Sequence, residues 1–157
     1  QIAQTGDTMS IDVSLRNLVK TDHDRWKILW TDYLNFYKTT VGDQVYKSSF
    51  QRLVSNDLRE YQGIVADVEG ETVGFAHYLF HRNLWSTQDT CYISDLYVVP
   101  EMRGKGIARK LIHKIAEHAQ DCGVKGIYWN TQETNYKGRM LYDQVAKKAP
   151  FIVYEIE

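Results

Sequence analysis

The sequence predicts an α/β (α+β) fold with a mixed, mostly antiparallel sheet flanked by helices. Segments that alternate apolar and polar residues, as half-buried strands do, are separated by segments with helical spacing. Their order along the chain is β-α-α-β-β-β-α-β-α-β. In the second half, a strand, a long helix and a further strand indicate one right-handed parallel crossover, because parallel neighbours need such a connection.

The first half begins with a strand and two helices. Alternation over Ile11–Arg16 predicts the strand, and Thr21–Asp24 offers an N-cap with acidic residues in the first turn. Apolar residues at three- and four-residue spacing then predict a helix with an unusually aromatic stripe, formed by Trp26, Leu29, Trp30, Tyr33 and Tyr37. A second helical pattern contains Tyr46, Phe50 and Leu53.

The middle of the chain is predicted to be β-structure. Gly63–Val68 and Thr72–Phe80 form a hairpin around a turn at Glu69-Gly70, and a loop follows at Asn83–Thr87. Thr90–Val99 is rich in Tyr, Ile and Val, which favours a third long strand.

After Pro100 the pattern becomes helical again. A helix is predicted from about Lys105 to Gly123, with the apolar residues Ile107, Leu111, Ile115 and Ala119 on one side. The remaining predicted elements are a short strand at Gly126–Trp129, a helix at Asn135–Val145 and a last strand at Phe151–Ile156.

Composition limits the classes of protein. A chain of 157 residues fits one domain, expected at 9–157, with residues 1–8 expected to be a tag or disordered tail. A net charge of -1 argues against binding nucleic acid through bulk charge. Cys91 and Cys122 indicate neither a disulfide framework nor a zinc site, so a reducing cytoplasm is expected. No apolar run reaches the roughly 20 residues of a membrane span.

An anion site is predicted at Arg103-Gly104-Lys105-Gly106, in the loop that connects a predicted strand to a predicted helix. The first N–H groups of a helix have no helical acceptor, and glycine lets an anion approach the backbone closely. A pyrophosphate would suit this loop. The glycine spacing fits neither a Walker A loop nor a dinucleotide fingerprint. The alternative is a tight turn with solvated cations.

The stretch D-L-Y-V-V-P-E-M-R-G-K-G-I-A resembles the acetyl-CoA motif of the GNAT superfamily of N-acetyltransferases, [Q/R]-x-x-G-x-[G/A], with Arg103, Gly106 and Ala108 at its three defining places. Asn135 to Tyr142 is similar to the second family motif, N-x₆-Y. The resemblance extends over Ile11 to Ile156. It is closest to the branch that acts on polyamines, D-amino acids or histones. One departure is Ala146-Lys147, where the family usually has Gly-Phe.

The resemblance implies the GNAT fold, with a twisted sheet of six to seven strands and about four helices. It implies acetyl-CoA as co-substrate, no metal, and a homodimer or higher homo-oligomer. By position in the motifs, the acetyl-CoA-binding residues would be Leu96, Tyr97, Val98, Arg103, Gly104, Lys105, Gly106, Ile107, Ala108, Asn130, Asn135 and Tyr142.

The family reaction is direct attack of an amine on the thioester. Tyr142 is the candidate general acid for the leaving thiolate, and its alternative is a core residue. Asn135 precedes it by two helical turns, so both would project toward one ligand, and we expect Asn135 to bind the co-substrate or backbone rather than simply cap a helix. For deprotonation of the amine three options stay open, namely a water chain from Ser94, Asp95 as the base, or Asp95 as a structural acceptor. A bulge would decide which of the two faces the cleft.

The acceptor side is predicted at Trp30, Tyr33 and Tyr37, whose rings could hold a cation, with ordinary core packing as the alternative. A metal site is rejected because His77 and His81 lie too far apart along a strand. The predicted function is acetyl transfer from acetyl-CoA to a primary amine of a small, polyamine-like or amino-acid-like molecule. The alternatives are a protein lysine or histone acetyltransferase and a non-catalytic acyl-CoA-binding module.

Overall fold

The computed structural model describes residues 11–157, so the expected tag or tail at residues 1–8 lies outside the described residues. It contains one five-stranded sheet with the strand order β1-β2-β3-β4-β5. The strands are β1 (Ser14–Asn17), β2 (Gln62–Val68), β3 (Glu71–His81), β4 (Thr90–Val98) and β5 (Ile127–Trp129). The helices are α1 (His23–Phe36), α2 (Asp43–Leu53), α3 (Ile107–Asp121) and α4 (Tyr136–Val145).

The sheet is mixed, as predicted. Strands β1 to β4 pair antiparallel in sequence order, and β4 pairs with β5 in parallel. Helix α3 connects the two parallel strands, which confirms the predicted crossover. The hairpin turn between β2 and β3 has positive φ at Glu69 (52°) and Gly70 (77°), the geometry that joins twisted strands with two residues.

Helices cover both faces of the sheet. Tyr78 on β3 reaches His118 of α3, and the predicted apolar side of that helix is buried from Ile107 to Ala119. On the other face, Phe75 and His77 of β3 contact the aromatic rings of α1. Trp26 and Leu29 of α1 are each 1% exposed, so the aromatic stripe is part of the core. Burying side chains of this size contributes roughly 1.5–3 kcal/mol each.

The strand count is lower than predicted, because the sixth segment does not form a strand. Phe151–Ile156 is not hydrogen-bonded into the sheet, and its apolar side chains are exposed. Aromatic and β-branched residues make a segment suited to a strand, but the strand forms only against a neighbour that pairs with its backbone N–H and C=O groups. Within residues 11–157 this segment has no such neighbour.

No helix in the described part of the chain is long and apolar enough to cross a membrane. No group of three or more His, Cys, Asp or Glu side chains in residues 11–157 is arranged to hold a metal ion.

Candidate active site

The predicted anion loop lies between β4 and α3. A 3-10 turn at Pro100–Met102 leads into the loop, and Gly106 is the N-cap of α3. Gly104 and Gly106 have φ values of 75° and 82°, the left-handed region that glycine occupies without steric cost. The two glycines therefore allow a tight turn that residues with side chains rarely adopt.

Backbone donors at the start of α3 are open to a ligand. The N–H of Lys110 donates to the carbonyl oxygen of Gly106 (3.1 Å), which is the first hydrogen bond of the helix. The N–H groups of the three preceding residues have no helical acceptor and lie at the positive end of the helix dipole. No atom lies within 4 Å of a Cβ built at Gly104 or Gly106. This open concave backbone fits a diphosphate.

Arg103 braces the loop against α1 and β4. Its Nε donates to the carbonyl oxygen of Val98 at 2.8 Å. Its guanidinium lies over the rings of Tyr97 (5.5 Å) and Phe36 (5.9 Å). Arg103 therefore fixes the end of β4 as well as bringing positive charge to the loop. The ammonium of Lys105 instead extends toward the sulfur of Met102.

A cleft of about 1250 Å³ opens beside this loop, bounded also by the C-terminal end of α1, the end of β4 and α4. It is lined by most of the predicted acetyl-CoA residues, namely Leu96, Tyr97, Val98, Arg103, Gly104, Gly106, Ile107, Ala108, Asn135 and Tyr142. Lys105 is not among the lining residues, and Asn130 lines a neighbouring cavity instead.

The inner end of the cleft lies where β4 and β5 separate. The two strands pair only over Cys91–Ile93 and Ile127–Trp129. β5 then ends, so the β5-facing edge of β4 beyond Ile93 has no strand partner within the described chain. Backbone N–H and C=O groups at such an edge can pair with an extended ligand.

A small cavity of about 30 Å³ lies at this separation. It shares Tyr33, Tyr37, Leu96 and Tyr142 with the cleft, so the two spaces are adjacent. Its other lining residues are Ile93, Ser94, Asp95, Ile112, Trp129 and Asn130. The volume matches one water molecule or one ammonium group.

Tyr142 enters both spaces from α4. Its ring packs edge-on against Trp129, with the ring centres 5.4 Å apart. Burial raises the pKa of Tyr142 above its ordinary value, and the nearby Tyr37 adds to the shift. The phenol is therefore protonated at neutral pH and can donate a hydrogen bond.

Asn135 is the N-cap of α4. Its Oδ1 accepts from the N–H of Gly138 (3.2 Å), and its Nδ2 donates to Thr131 Oγ1 (3.0 Å). A Cβ at Gly138 would lie 2.5 Å from Asn135 Nδ2, so glycine there makes room for the cap. The expectation that Asn135 does more than cap the helix stays a prediction, although the residue also lines the cleft.

A bulge in β4 orients Asp95. Tyr78 pairs with Ile93 and His77 with Asp95, so Ser94 is the extra residue. Asp95 is consequently on the same face as His77, toward α1. The pair meets through His77 Nδ1 and Asp95 Oδ2 at 3.0 Å, and Ser94 Oγ donates to the same oxygen at 2.8 Å.

Asp95 is ionised in this setting. Its side chain is only 17% exposed, and burial by itself would raise its pKa. Hydrogen bonds from His77 and Ser94, together with the nearby Tyr33 hydroxyl, outweigh burial, so the pKa of Asp95 lies below the ordinary range. Burial and the neighbouring Asp95 carboxylate raise the pKa of Tyr33, which stays protonated.

The three aromatic residues predicted for the acceptor side divide into two groups. Tyr33 and Tyr37 line both the cleft and the small cavity. Trp30 lines neither of these spaces and stacks between Trp26 (6.0 Å) and Tyr33 (5.1 Å). The prediction of an acceptor role for Trp30 therefore has no geometric support here.

Sequence reasoning missed the partners of Asp95. The sequence pattern tests His77 only as a metal ligand and assigns Trp26 only to an aromatic stripe. One signal was available, because His77 stands in the apolar run Val73–Phe80 of a buried strand. A polar side chain at such a position requires a hydrogen-bond partner.

Comparison with known proteins agrees with this geometry. The model of the acetyltransferase (GNAT) family matches residues 23–146. The chain is 34% identical over 135 residues to the D-amino-acid N-acetyltransferase HPA3 of Saccharomyces cerevisiae, covering 85% of this chain and 84% of the yeast protein. It is 37% identical over 113 residues to the thialysine N-epsilon-acetyltransferase of Bos taurus, covering 65% of each.

Solved structures share the fold. A ribosomal-protein-alanine N-acetyltransferase from Brucella melitensis biovar Abortus 2308 superposes with a TM-score of 0.76 at 24% identity, over 93% of this chain and 99% of that one. The aminoglycoside acetyltransferase AAC(6')-Iy, in complex with a CoA bisubstrate analogue, gives a TM-score of 0.80 at 15% identity, over 93% and 98%. The family model over residues 23–146 and the relative at 34% identity show that the chain belongs to the GNAT family and is an acetyl-CoA-dependent N-acetyltransferase.

Proposed function

We propose that this N-acetyltransferase acetylates a primary amine of a small molecule, polyamine-like or amino-acid-like. The observation that carries the proposal is the small cavity, in which Asp95 is the one formally charged lining residue of the described chain. An anionic, aromatic-lined space of about 30 Å³ suits an ammonium or amino group. The relatives named D-amino-acid and thialysine N-acetyltransferases support a small acceptor.

Acetyl-CoA binding is assigned to the loop and the free edge of β4. The N–H groups at the start of α3 would hold the diphosphate, with Gly104 and Gly106 allowing close approach. Backbone groups of Leu96, Tyr97 and Val98 would pair with the pantetheine arm and polarise the thioester carbonyl. Main-chain donors fixed in a sheet suit this role, because they do not reorganise as charge develops on the oxygen.

Tyr142 is assigned to the leaving sulfur. A thiol of ordinary pKa, about 8.5, is a stronger acid than a phenol of ordinary pKa, about 10. Because burial raises the pKa of Tyr142 further, full proton transfer to the thiolate is unfavourable. Tyr142 therefore stabilises the departing sulfur by donating a hydrogen bond as the negative charge develops.

Of the three options for deprotonating the amine, the pKa values favour Asp95 as an acceptor over Asp95 as the base. Direct transfer from a lysine-like ammonium (pKa about 10.4) to a carboxyl with a pKa no higher than about 3.9 is uphill by more than about 8 kcal/mol. The amine must therefore lose its proton to solvent, directly or through water near Ser94. Asp95 then holds the neutral amine by accepting one of its N–H bonds.

We propose a homodimer formed through the C-terminal segment. Its apolar side chains, Phe151, Ile152, Val153, Tyr154 and Ile156, are all exposed. β5 is the last strand in the sheet, so its outer edge is unpaired within residues 11–157. If the C-terminal segment of a second copy pairs with that edge, its apolar side chains become buried and the edge of β5 gains backbone hydrogen bonds.

We also propose a cytoplasmic location. Cys91 is buried and Cys122 exposed, and both are free thiols. Free thiols persist where the compartment is reducing.

The test is an acetylation screen at constant acetyl-CoA concentration over polyamines, D- and L-amino acids, aminoglycosides and a lysine peptide. We expect kcat/KM to be highest for one of the small amines. A preference for the lysine peptide would favour a protein acetyltransferase. Binding of acetyl-CoA without turnover on any amine would favour a non-catalytic module.

A further inference from the structure

The buried imidazole of His77 has one possible hydrogen-bonding state. His77 is 3% exposed, and its Nε2 lies 3.0 Å from Trp26 Nε1. An indole N–H can only donate, so Nε2 must be the unprotonated, accepting nitrogen. The single proton of the neutral ring is therefore on Nδ1, which donates to Asp95 Oδ2.

The surroundings of the ring keep this arrangement in place. His77 stacks on Phe75 at 4.6 Å between ring centres, and Trp26 and Trp30 of α1 cover it at 6.1 and 5.2 Å. A 180° flip of the ring would direct Cε1–H at the Trp26 N–H and Cδ2–H at the Asp95 carboxylate, and the Nε2–H tautomer would direct an N–H at the Trp26 N–H. Each alternative leaves a buried polar group without a partner, which costs about 1–3 kcal/mol.

The donors that meet Asp95 leave one oxygen open. His77 and Ser94 both use Oδ2, and neither contacts Oδ1. Tyr33 of α1, whose proximity also lowers the pKa of Asp95, lines the small cavity beside the carboxylate. In a Ser-His-Asp triad a buried Asp orients a working His, whereas here a buried His orients the Asp.

We propose that His77 is a positioning residue for the acceptor amine, fixed in its Nδ1–H tautomer by Trp26 so that it anchors Asp95 Oδ2 and leaves Oδ1 for the amine. This inference rests on the proposed function of Asp95. The chain Trp26–His77–Asp95 thus connects the aromatic core of α1 to the acceptor cavity. We therefore expect a change at His77 to alter the binding of the amine and not the binding of acetyl-CoA.

Two substitutions separate the two ring nitrogens. In His77→Asn the side-chain amide nitrogen can occupy the position of Nδ1 and keep the donor to Asp95. In His77→Gln the amide reaches the position of Nε2, which keeps a partner for Trp26 but removes that donor. His81→Asn on the same strand is the control, because His81 is half-buried and contacts Tyr128 rather than the cavity.

We expect His77→Gln to raise KM for the best small amine roughly 10- to 100-fold, the range for losing one hydrogen bond to a charged group. The Kd of acetyl-CoA should be unchanged, His77→Asn should restore most of the loss, and His81→Asn should behave as wild type. Equal impairment in His77→Asn and His77→Gln, or wild-type KM in both, would overturn the proposal.

A second measurement does not depend on the variants being folded. ¹⁵N NMR of histidine-labelled wild-type protein reports the tautomer, and we expect His77 to be the Nδ1–H form. An Nε2–H form would refute the inference. Asp95→Asn distinguishes failure of the proposed role of Asp95 from failure of the inference about His77. An unchanged KM for the amine in this variant would defeat the assignment of Asp95 itself. A raised KM in Asp95→Asn with no effect at His77 would defeat only the inference about His77.

Discussion

Replacing Gly106 with valine changes the N-cap of α3, where φ is 82°. A β-branched residue rarely adopts this conformation, and the strain costs roughly 1–3 kcal/mol of folding stability. The cost is conformational rather than steric, because no atom lies within 4 Å of a Cβ built at this position. That open space is the part of the cleft assigned to the diphosphate. The added side chain should therefore weaken CoA binding at least about tenfold, or 1.4 kcal/mol.

The same helix supplies a matched control. Gly123 follows the other end of α3 with φ 70° and also has no atom within 4 Å of a built Cβ. Gly123→Val should lose a similar free energy of unfolding in urea while its Kd for CoA, measured by calorimetry, stays at the wild-type value. Wild-type CoA affinity in Gly106→Val, or an equal loss in both variants, would contradict the cradle assignment.

Three further predictions follow from the cleft and the C-terminal segment. Tyr142→Phe should lower kcat about 100-fold or more while CoA affinity is unchanged, since removing one hydrogen-bond donor aimed at a developing negative charge costs about 10²–10³-fold; unchanged turnover would remove Tyr142 from the reaction. Because the pKa of Tyr142 lies above 10, its proton is present at lower pH and is lost as pH rises through that pKa. At any pH up to 10, ionisation of Tyr142 should therefore not lower the kcat of the wild type. A fall between pH 8 and 9 that disappears in Tyr142→Phe would refute this. Deleting 151–157 should convert a dimer to a monomer in sedimentation, and a monomeric full-length chain or a persistent dimer after deletion would argue against exchange of the C-terminal segment.

Local pattern was sufficient for most of the fold. The helical spacing after Pro100 and the glycine at position 123 predicted α3 to within a few residues, because its apolar side and its C-terminal glycine are both encoded nearby. Phe151–Ile156 is rich in aromatic and β-branched residues but forms no strand. A strand depends on a partner edge, which is a property of the whole assembly and not of the segment.

The acceptor site was harder to predict than the acetyl-CoA loop. The loop depends on a short contiguous motif, whereas Asp95 depends on His77 eighteen residues earlier and on Trp26 a further 51 residues away. Parity along β4 could not decide between Ser94 and Asp95, since the bulge at Ser94 breaks the alternation. Cross-strand register, which the sequence does not specify, was the missing information.

Steady-state kinetics of Asp95→Asn tests the central claim most directly, because the substitution keeps the size of the side chain and removes its charge. With the best small amine as acceptor, we predict a KM raised at least tenfold, an unchanged Kd for acetyl-CoA, and an acid limb of the pH–rate profile that stays where the amine titrates. An unaltered KM would place the acceptor amine elsewhere. Loss of the acid limb would identify Asp95 as the base after all.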